Sequence, residues 1–176
     1  MTGAGSTTLR RYNVRNAKGR WLADIVISDD GFFATVSDYG NYAYAWTHAG
    51  DCFRSFLFNT EADYLVSKLK PGYVYAGDKT ILSVKEHILS RRRTLDMSAS
   101  KARAEWYLLD AYNNLGDAND FGSWLESTNI RDAYELACSE RDPQAMHFAE
   151  QVWPAFVAML RAELVDVGAD PAKAPR

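Results

Sequence analysis

The fold is decided between residues 21 and 46, where the chain reads WLADIVISDDGFFATVSDYGNYAYAW. Apolar, β-branched and aromatic residues, which favour extended backbone, form three short runs in this stretch. The runs are separated by Asp29-Asp30-Gly31 and by Asp38-Tyr39-Gly40-Asn41, which are turn signals because glycine tolerates the positive φ of hairpin turns. A further run from Leu9 to Asn16 precedes them. The pattern predicts an N-terminal antiparallel β-meander of about four strands over residues 9–46.

The chain beyond the meander has the residue spacing of helices. Apolar residues recur at intervals of three and four over residues 51–167, which predicts about six helices. A chain in which the strands come first and the helices follow is typical of an α+β fold. We expect one domain over residues 1–168 and a disordered tail at residues 169–176. A boundary near residues 73–77 is the alternative, but each half is small for an independent core.

Local signals predict where several helices begin and where one is disturbed. Asp120 is expected to cap a short helix, and Thr60-Glu61-Ala62-Asp63 resembles a capping box. Asp142-Pro143 predicts the start of the last helix, which Pro154 is expected to kink. A further helix is expected over residues 129–139.

The composition limits the classes of function. The 176 residues are 47% hydrophobic, 13% aromatic and 24% charged, which is typical of a globular protein and excludes a disordered chain. Cys52 and Cys138 have no partners at metal-ligand spacing, and the three histidines form no His-x-x-x-His pair. No glycine-rich phosphate loop is present. We therefore expect no catalytic residues, no metal, no cofactor and no enzymatic activity.

The sequence also indicates where in the cell the protein is located. No stretch approaches the roughly 20 consecutive apolar residues of a membrane span. Residues 1–8 are small and polar and lack the apolar core of a signal peptide. We therefore expect a cytoplasmic protein without a membrane partner.

Charge is distributed unevenly along the chain. Residues 1–104 carry 15 Lys and Arg against 10 Asp and Glu, whereas residues 105–170 carry 3 against 13. The asymmetry indicates two surfaces of opposite sign, one of which could steer a charged partner; the need of helices for soluble faces is the other explanation. Six carboxylates are the candidate partner-binding residues: Asp117, Asp120, Glu126, Asp132, Glu135 and Glu140.

Aromatic and basic residues of the meander give a second hypothesis. Tyr42, Tyr44 and Trp46 share one strand face, which either packs as core or forms an exposed platform on which bases stack. In the second case the arginines of the first strand would contact phosphates. The candidate nucleic-acid-binding residues are Arg10, Arg11, Arg15, Tyr42 and Tyr44. The run Arg91-Arg92-Arg93 is explained either by phosphate contacts or by the negative end of a helix dipole.

Stretches near both ends of the chain resemble a family of small accessory proteins of phages and prophages. The first reads SDYGNYAYAW at residues 37–46, followed by Phe56-Leu57 and ADYLVSKL at residues 62–69. The second is Val152-Trp153-Pro154 with LRAEL at residues 160–164. The resemblance implies a phage product made in the cytoplasm of the host bacterium. The functions of this family are mostly unassigned, so the resemblance implies no catalytic residues.

Small phage accessory proteins without active-site motifs often act by binding, and counter-defence inhibitors such as anti-CRISPR proteins combine a compact fold with an acidic face. The first hypothesis is therefore an inhibitor of a host nucleic-acid-handling defence complex, such as a CRISPR effector. An acidic surface can occupy a basic groove meant for nucleic acid, because the same Coulomb attraction serves both ligands. The alternative is a nucleic-acid-binding accessory module that uses the basic, aromatic meander.

Overall fold

The computed structural model describes residues 7–166 and has an α+β fold in which four antiparallel strands precede six helices, as the sequence predicts. The predicted tail at residues 169–176 lies outside the described residues. The strands are β1 (Leu9–Arg15), β2 (Trp21–Ser28), β3 (Phe32–Ser37), β4 (Tyr42–Ala45) and a short pair, β5 (Val74–Tyr75) and β6 (Ser139–Glu140). The helices are α1 (Phe53–Phe58), α2 (Ala62–Leu69), α3 (Gly77–Arg93), α4 (Ala99–Ala111), α5 (Ala118–Ser127) and α6, which continues through Pro143–His147, Phe148–Val152 and Trp153–Asp166.

The chain divides into two compact units. The first unit comprises the described residues of Met1–Gly72 and Arg141–Arg176, and the second unit comprises Tyr73–Glu140. The division after residue 72 coincides with the alternative boundary near residues 73–77. The single domain over residues 1–168 stays a prediction.

The sheet of the first unit follows chain order, β1-β2-β3-β4, and each neighbouring pair is antiparallel. One row of residues runs across all four strands: Tyr12 lies opposite Ile25, Ile25 opposite Thr35, and Thr35 opposite Tyr42. Because alternate residues of a strand share a face, this register places the apolar members of all four strands on one inner face.

The core of the first unit lies between this inner face and helices α1, α2 and α6. Phe33 is fully buried at its centre, and its ring lies edge-on to those of Trp46, Trp153 and Phe156 at centroid distances of 6.2, 6.0 and 6.3 Å. The ring of Tyr12 lies 5.2 Å from that of Phe156. Such edge-to-face pairs are worth about 0.5–1.5 kcal/mol each beyond their buried area.

Helix α6 begins at a cap and adapts to a proline. The Asp142 side chain accepts hydrogen bonds from the backbone N–H groups of Gln144 and Ala145 at 3.0 and 3.1 Å, which confirms the start predicted from Asp142-Pro143. Pro154 has no N–H, and its ring crowds the carbonyl four residues earlier. The helix widens into a π turn at Phe148–Val152, which ends two residues before the proline. The disturbance predicted at Pro154 therefore takes the form of a π turn.

The second unit packs α3, α4 and α5 around a core of its own. Trp124 is fully buried there together with Val84, Ile88, Leu109 and Leu115. Tyr75, Leu108 and Tyr112 are partly buried and pack against this core.

A left-handed turn joins α4 to α5. Asn113, Asn114 and Leu115 have φ values of 48°, 54° and 58°. The turn packs against the first residue of α3, where a β-carbon on Gly77 would lie 2.5 Å from the carbonyl oxygen of Gly116. Glycine at position 77 is therefore a packing requirement.

The helix predicted over residues 129–139 is wrong. A short 3₁₀ turn at Ala133–Leu136 and strand β6 occupy this stretch instead. Asp132 has a φ of 56°, which a right-handed helix does not allow. The buried carboxylate of Glu105 also fixes the start of this stretch. The carboxylate accepts hydrogen bonds from the Thr128 hydroxyl and the Asn129 backbone N–H.

Two predicted helix caps are also wrong. Asp117, not Asp120, caps α5, and its carboxylate accepts from the backbone N–H groups of Asn119 and Asp120 at 2.8 and 2.9 Å. The capping box at residues 60–63 does not form, because the Thr60 hydroxyl donates backwards to the carbonyl of Phe56 at 2.9 Å.

Candidate protein-binding surfaces

The six candidate carboxylates all lie in the second unit, in the segment from the cap of α5 to β6. Four of them are exposed, and Asp120 and Glu140 are partly buried. Asp117 and Asp120 lie at the start of α5, Glu126 near its end, Asp132 and Glu135 at the 3₁₀ turn, and Glu140 on β6. The structure thus confines them to one unit, on elements that follow each other directly.

Three of these carboxylates are engaged by neighbours close in sequence. Asp117 is the cap of α5. Both carboxylate oxygens of Asp120 lie 3.4 Å from the side-chain amide nitrogen of Asn113. A carboxylate oxygen of Asp132 lies 3.7 Å from Arg131 Nε. These contacts reduce the charge that the three residues offer to a partner.

Glu140 lies at a small polar pocket at the start of α3. Its carboxylate is 2.8 Å from Lys79 Nζ, and this hydrogen bond and its charge raise the pKa of Lys79. The pocket has a volume of about 260 Å³ and is also lined by Tyr75, Gly77 and Asp78. Glu140 and Lys79 neutralise each other at this pocket, so Glu140 is a weak contact for an external cation.

Glu126 and Glu135 differ from the other four carboxylates. Both are exposed, and neither forms a hydrogen bond or an ion pair with any residue that the structure describes. On α5, Glu126 lies away from the buried side chains of Phe121 and Trp124. These two glutamates therefore carry the uncompensated negative charge of the segment.

The five residues of the alternative, nucleic-acid-binding hypothesis are not brought together. Tyr42 and Tyr44 lie on the inner face of β4 and pack against the core, and burial raises the pKa of Tyr42. Arg11 and Arg15 lie on the opposite face of β1. Arg10 shares the inner face with Tyr44 but is three strands away, about 14 Å. Of the two interpretations of the aromatic row, packing in the core is confirmed.

The arginines of β1 are also engaged within the first unit. Arg11 lies 3.3 Å from an Asp24 oxygen, and the Arg15 guanidinium donates to the carbonyl of Gly19 at 2.9 Å. Arg10 Nε lies 4.0 Å from a carboxylate oxygen of Asp29. The meander therefore offers no stacking platform flanked by free arginines.

A groove between α3 and α4 is a feature that the sequence analysis missed. Trp106 and Tyr107 of α4 are 36% and 66% exposed, and the groove beside them has a volume of about 270 Å³. The available signal is that consecutive residues on a helix point about 100° apart, so of two bulky aromatic residues in a row at least one lies at the edge of the buried stripe. Arg91, Arg92 and Arg93 lie in the last turn of α3, as the helix-dipole explanation requires.

The thiols and histidines form no chemical centre within residues 7–166. No group of three or more His, Cys, Asp or Glu side chains there is placed to hold a metal ion, and both cysteines are free. Burial raises the pKa of Cys52, but hydrogen bonds involving Ser55 together with the charge and backbone of Arg54 outweigh it, so the net shift is downward. His48 Nδ1 lies 2.9 Å from the hydroxyl of Thr47. No helix in the described part of the chain has the length and apolar character to cross a membrane.

Together, fold and surfaces define an α+β protein with an N-terminal antiparallel meander and charged helical surfaces on its second unit. The model of the phage family phiTE_072 matches residues 4–162, which is most of the chain. The chain therefore belongs to this phage family, in agreement with the resemblance seen in its sequence. The comparisons found no match among curated proteins or solved structures.

Proposed function

We propose that this phage protein acts by binding and not by catalysis, and that it inhibits a host nucleic-acid-handling defence complex such as a CRISPR effector. The proposed contact surface is the acidic segment from Asp117 to Glu140. The observation that carries the proposal is the pair of exposed, uncompensated carboxylates in this segment, Glu126 and Glu135. The host cytoplasm, where such complexes work, is the proposed place of action.

An acidic surface suits this task for a simple electrostatic reason. A groove that binds nucleic acid presents Lys and Arg to phosphates, and the same positive charges attract carboxylates. Binding through Glu126 and Glu135 breaks no internal ion pair, whereas Asp132 and Glu140 would first have to leave Arg131 and Lys79. We therefore rank Glu126 and Glu135 as the main contacts of the segment.

The test uses a host strain whose defined CRISPR system blocks a plaque-forming phage. Expression of the protein is expected to restore plaques, and the purified protein is expected to bind the purified effector complex. Glu126→Gln combined with Glu135→Gln removes two exposed charges worth together ~1 kcal/mol, so the affinity is expected to fall roughly fivefold.

The matched control replaces two exposed carboxylates of the first unit, as Asp51→Asn with Glu61→Gln. This variant is expected to bind and to restore plaques like the wild type. Wild-type affinity in the Glu126/Glu135 variant would exclude the acidic segment as the contact surface. Absence of plaque rescue by the wild-type protein would exclude the CRISPR effector as the target.

A further inference from the structure

The groove between α3 and α4 has an apolar interior. Ile88 of α3 and Ala102 of α4 line it together with Leu89, Trp106 and Tyr107. Leu89 is 43% exposed and Tyr107 66% exposed, so the apolar surface continues from the groove to the solvent. The groove is a place where side chains of another molecule could be buried at little conformational cost to this one.

The two helices that form this groove carry six cations. Arg92 and Arg103 line the groove itself. The six are carried by α3 and α4, and they are Lys85, Arg91, Arg92, Arg93, Lys101 and Arg103. None of the six forms an ion pair with a carboxylate of the described chain. The other two cations of the second unit, Lys79 and Arg131, are both paired. The positive charge of this unit that has no internal ion pair is therefore carried by the two helices that form the groove.

Helix dipoles do not account for all of this charge. The negative end of α3 stabilises the run at residues 91–93. Lys101, however, lies in the first turn of α4, which contains no acidic residue, and Arg103 follows it closely. A cation in the first turn is opposed by the positive end of the helix dipole, so Lys101 does not stabilise α4.

We propose that the α3–α4 groove binds an acidic amphipathic helix of a partner protein. Apolar side chains of that helix would enter the groove beside Leu89 and Tyr107, and its flanking carboxylates would meet Arg92 and Arg103. Recognition of this kind needs an apolar groove for residues spaced three and four apart and a rim of opposite charge, and the groove has both. The proposal does not rest on the proposed function, because it concerns a surface of opposite sign.

Single-stranded nucleic acid fits the same surface less well. Stacking of bases needs open aromatic faces. Lys85 Nζ lies 5.4 Å from the centroid of the Trp106 ring and occupies one face of it. Tyr107 adds one further exposed ring, but the apolar floor between the two rings is aliphatic, with Ile88, Leu89 and Ala102, which suits aliphatic side chains better than a row of stacked bases.

A second copy of the chain is also a poorer ligand. In the acidic segment of such a copy, the carboxylates without an internal partner are Glu126 of α5 and Glu135 of the 3₁₀ turn. The apolar side of α5, with Phe121 and Trp124, is already buried in its own unit. This acidic helix therefore has no apolar side chains free to enter a groove.

The test measures binding of a fluorescent helical peptide of about 18 residues, with leucine at three- and four-residue spacing and glutamate elsewhere. The same peptide with lysine in place of glutamate is the charge control. Tyr107→Ala and Arg103→Glu change exposed residues of the groove, and circular dichroism confirms that both variants fold. Tyr134→Ala, at a 63% exposed tyrosine, and Lys18→Glu are the matched controls.

The acidic peptide is expected to bind and the lysine peptide is not. Both groove variants are expected to weaken binding at least roughly tenfold, whereas the two matched controls leave it unchanged. Glu126→Gln with Glu135→Gln is expected to leave it unchanged too, which separates this proposal from the proposed function.

Four results would overturn the proposal. They are no binding of the acidic peptide, equal binding of both peptides, tight binding of a single-stranded oligothymidine that Tyr107→Ala abolishes, and a dimer in sedimentation that Tyr107→Ala dissociates. The last two would assign the groove to nucleic acid and to a second copy, respectively.

Discussion

Removal of the Glu105 carboxylate is expected to destabilise the second unit strongly. The residue is only 4% exposed, and its carboxylate accepts hydrogen bonds from the Thr128 hydroxyl at 2.6 Å and from the Asn129 backbone N–H at 3.0 Å. These bonds fasten α4 to the segment that follows α5. In Glu105→Ala both donors lose their acceptor, and each hydrogen bond to a charged group is worth about 1.5–3 kcal/mol. The free energy of unfolding is therefore expected to fall by about 3–6 kcal/mol.

Glu105→Gln separates the hydrogen bonds from the charge. The amide oxygen can still accept from the Asn129 N–H, and the amide nitrogen can donate to the hydroxyl oxygen of Thr128, so both contacts remain hydrogen bonds, with the Thr128 hydroxyl accepting instead of donating. We expect this variant to lose about 1–2 kcal/mol, because charge-assisted bonds are roughly twice as strong as neutral ones. Glu86→Ala, at an exposed carboxylate of α3, is the matched control and is expected to change stability by less than about 0.5 kcal/mol.

Urea unfolding followed by tryptophan fluorescence measures these differences from the midpoint and the slope. Hydrogen exchange of α4 amides shows whether the loss occurs in the second unit. The expected order of destabilisation is Glu105→Ala, then Glu105→Gln, then Glu86→Ala. A wild-type midpoint for Glu105→Ala, or equal losses for the two Glu105 variants, would refute the hydrogen-bond reasoning.

Two further predictions concern packing and ionisation. Gly77→Ala is expected to lower the free energy of unfolding by about 2–3 kcal/mol, because the new β-carbon meets the carbonyl of Gly116. Gly122 lies in the open middle of α5, so Gly122→Ala is expected to raise the free energy of unfolding by about 0.5–1 kcal/mol. The same urea titration measures both variants. Burial and the hydrogen bond to Glu163 raise the pKa of Tyr12 from 10.0 to about 12, so this residue contributes stability below pH 10 that is lost as the pH rises through 12. Tyr12→Phe is expected to lose less stability than the wild type over that interval, and equal losses would contradict the assignment.

The meander could be predicted from the sequence because its signals are local. Strands β2 and β3 have the predicted bounds, since alternation and turn residues lie within a few positions of each other. Gly31 illustrates this: its φ is 97°, and a β-carbon there would meet the backbone oxygen of Trp46 in the same meander. Residues 129–139 were beyond this kind of reasoning, because Glu105 holds their start from 24 residues away.

The candidate surfaces could be predicted only in part. Counting charges found the acidic segment, but it could not show which carboxylates have internal partners, because Lys79 reaches Glu140 from a distant part of the chain. The α3–α4 groove was missed for a related reason. Apolar spacing identifies the buried stripe of each helix, whereas the groove is made by side chains such as Tyr107 that flank two stripes on different helices.

The distribution of charge along the sequence differs from its distribution over the two folded units. Residues 105–170 contain 13 acidic residues, but those beyond residue 140 belong to the first unit, where Glu163 accepts from Tyr12 and pairs with Arg54. The second unit has 11 Asp and Glu and 8 Lys and Arg, and six of those eight cations lie on α3 and α4, the helices that form the groove. Two surfaces of opposite sign therefore belong to one unit.

This arrangement bears on the class of partner. A nucleic acid would be attracted by the groove and repelled by the acidic segment of the same unit, whereas a protein can present both signs of charge. The two sets of substitutions then decide how many proteins bind. If one partner contacts both surfaces, Arg103→Glu and the Glu126/Glu135 variant each weaken binding of the same protein. If there are two partners, each variant weakens the binding of one and leaves the other unchanged.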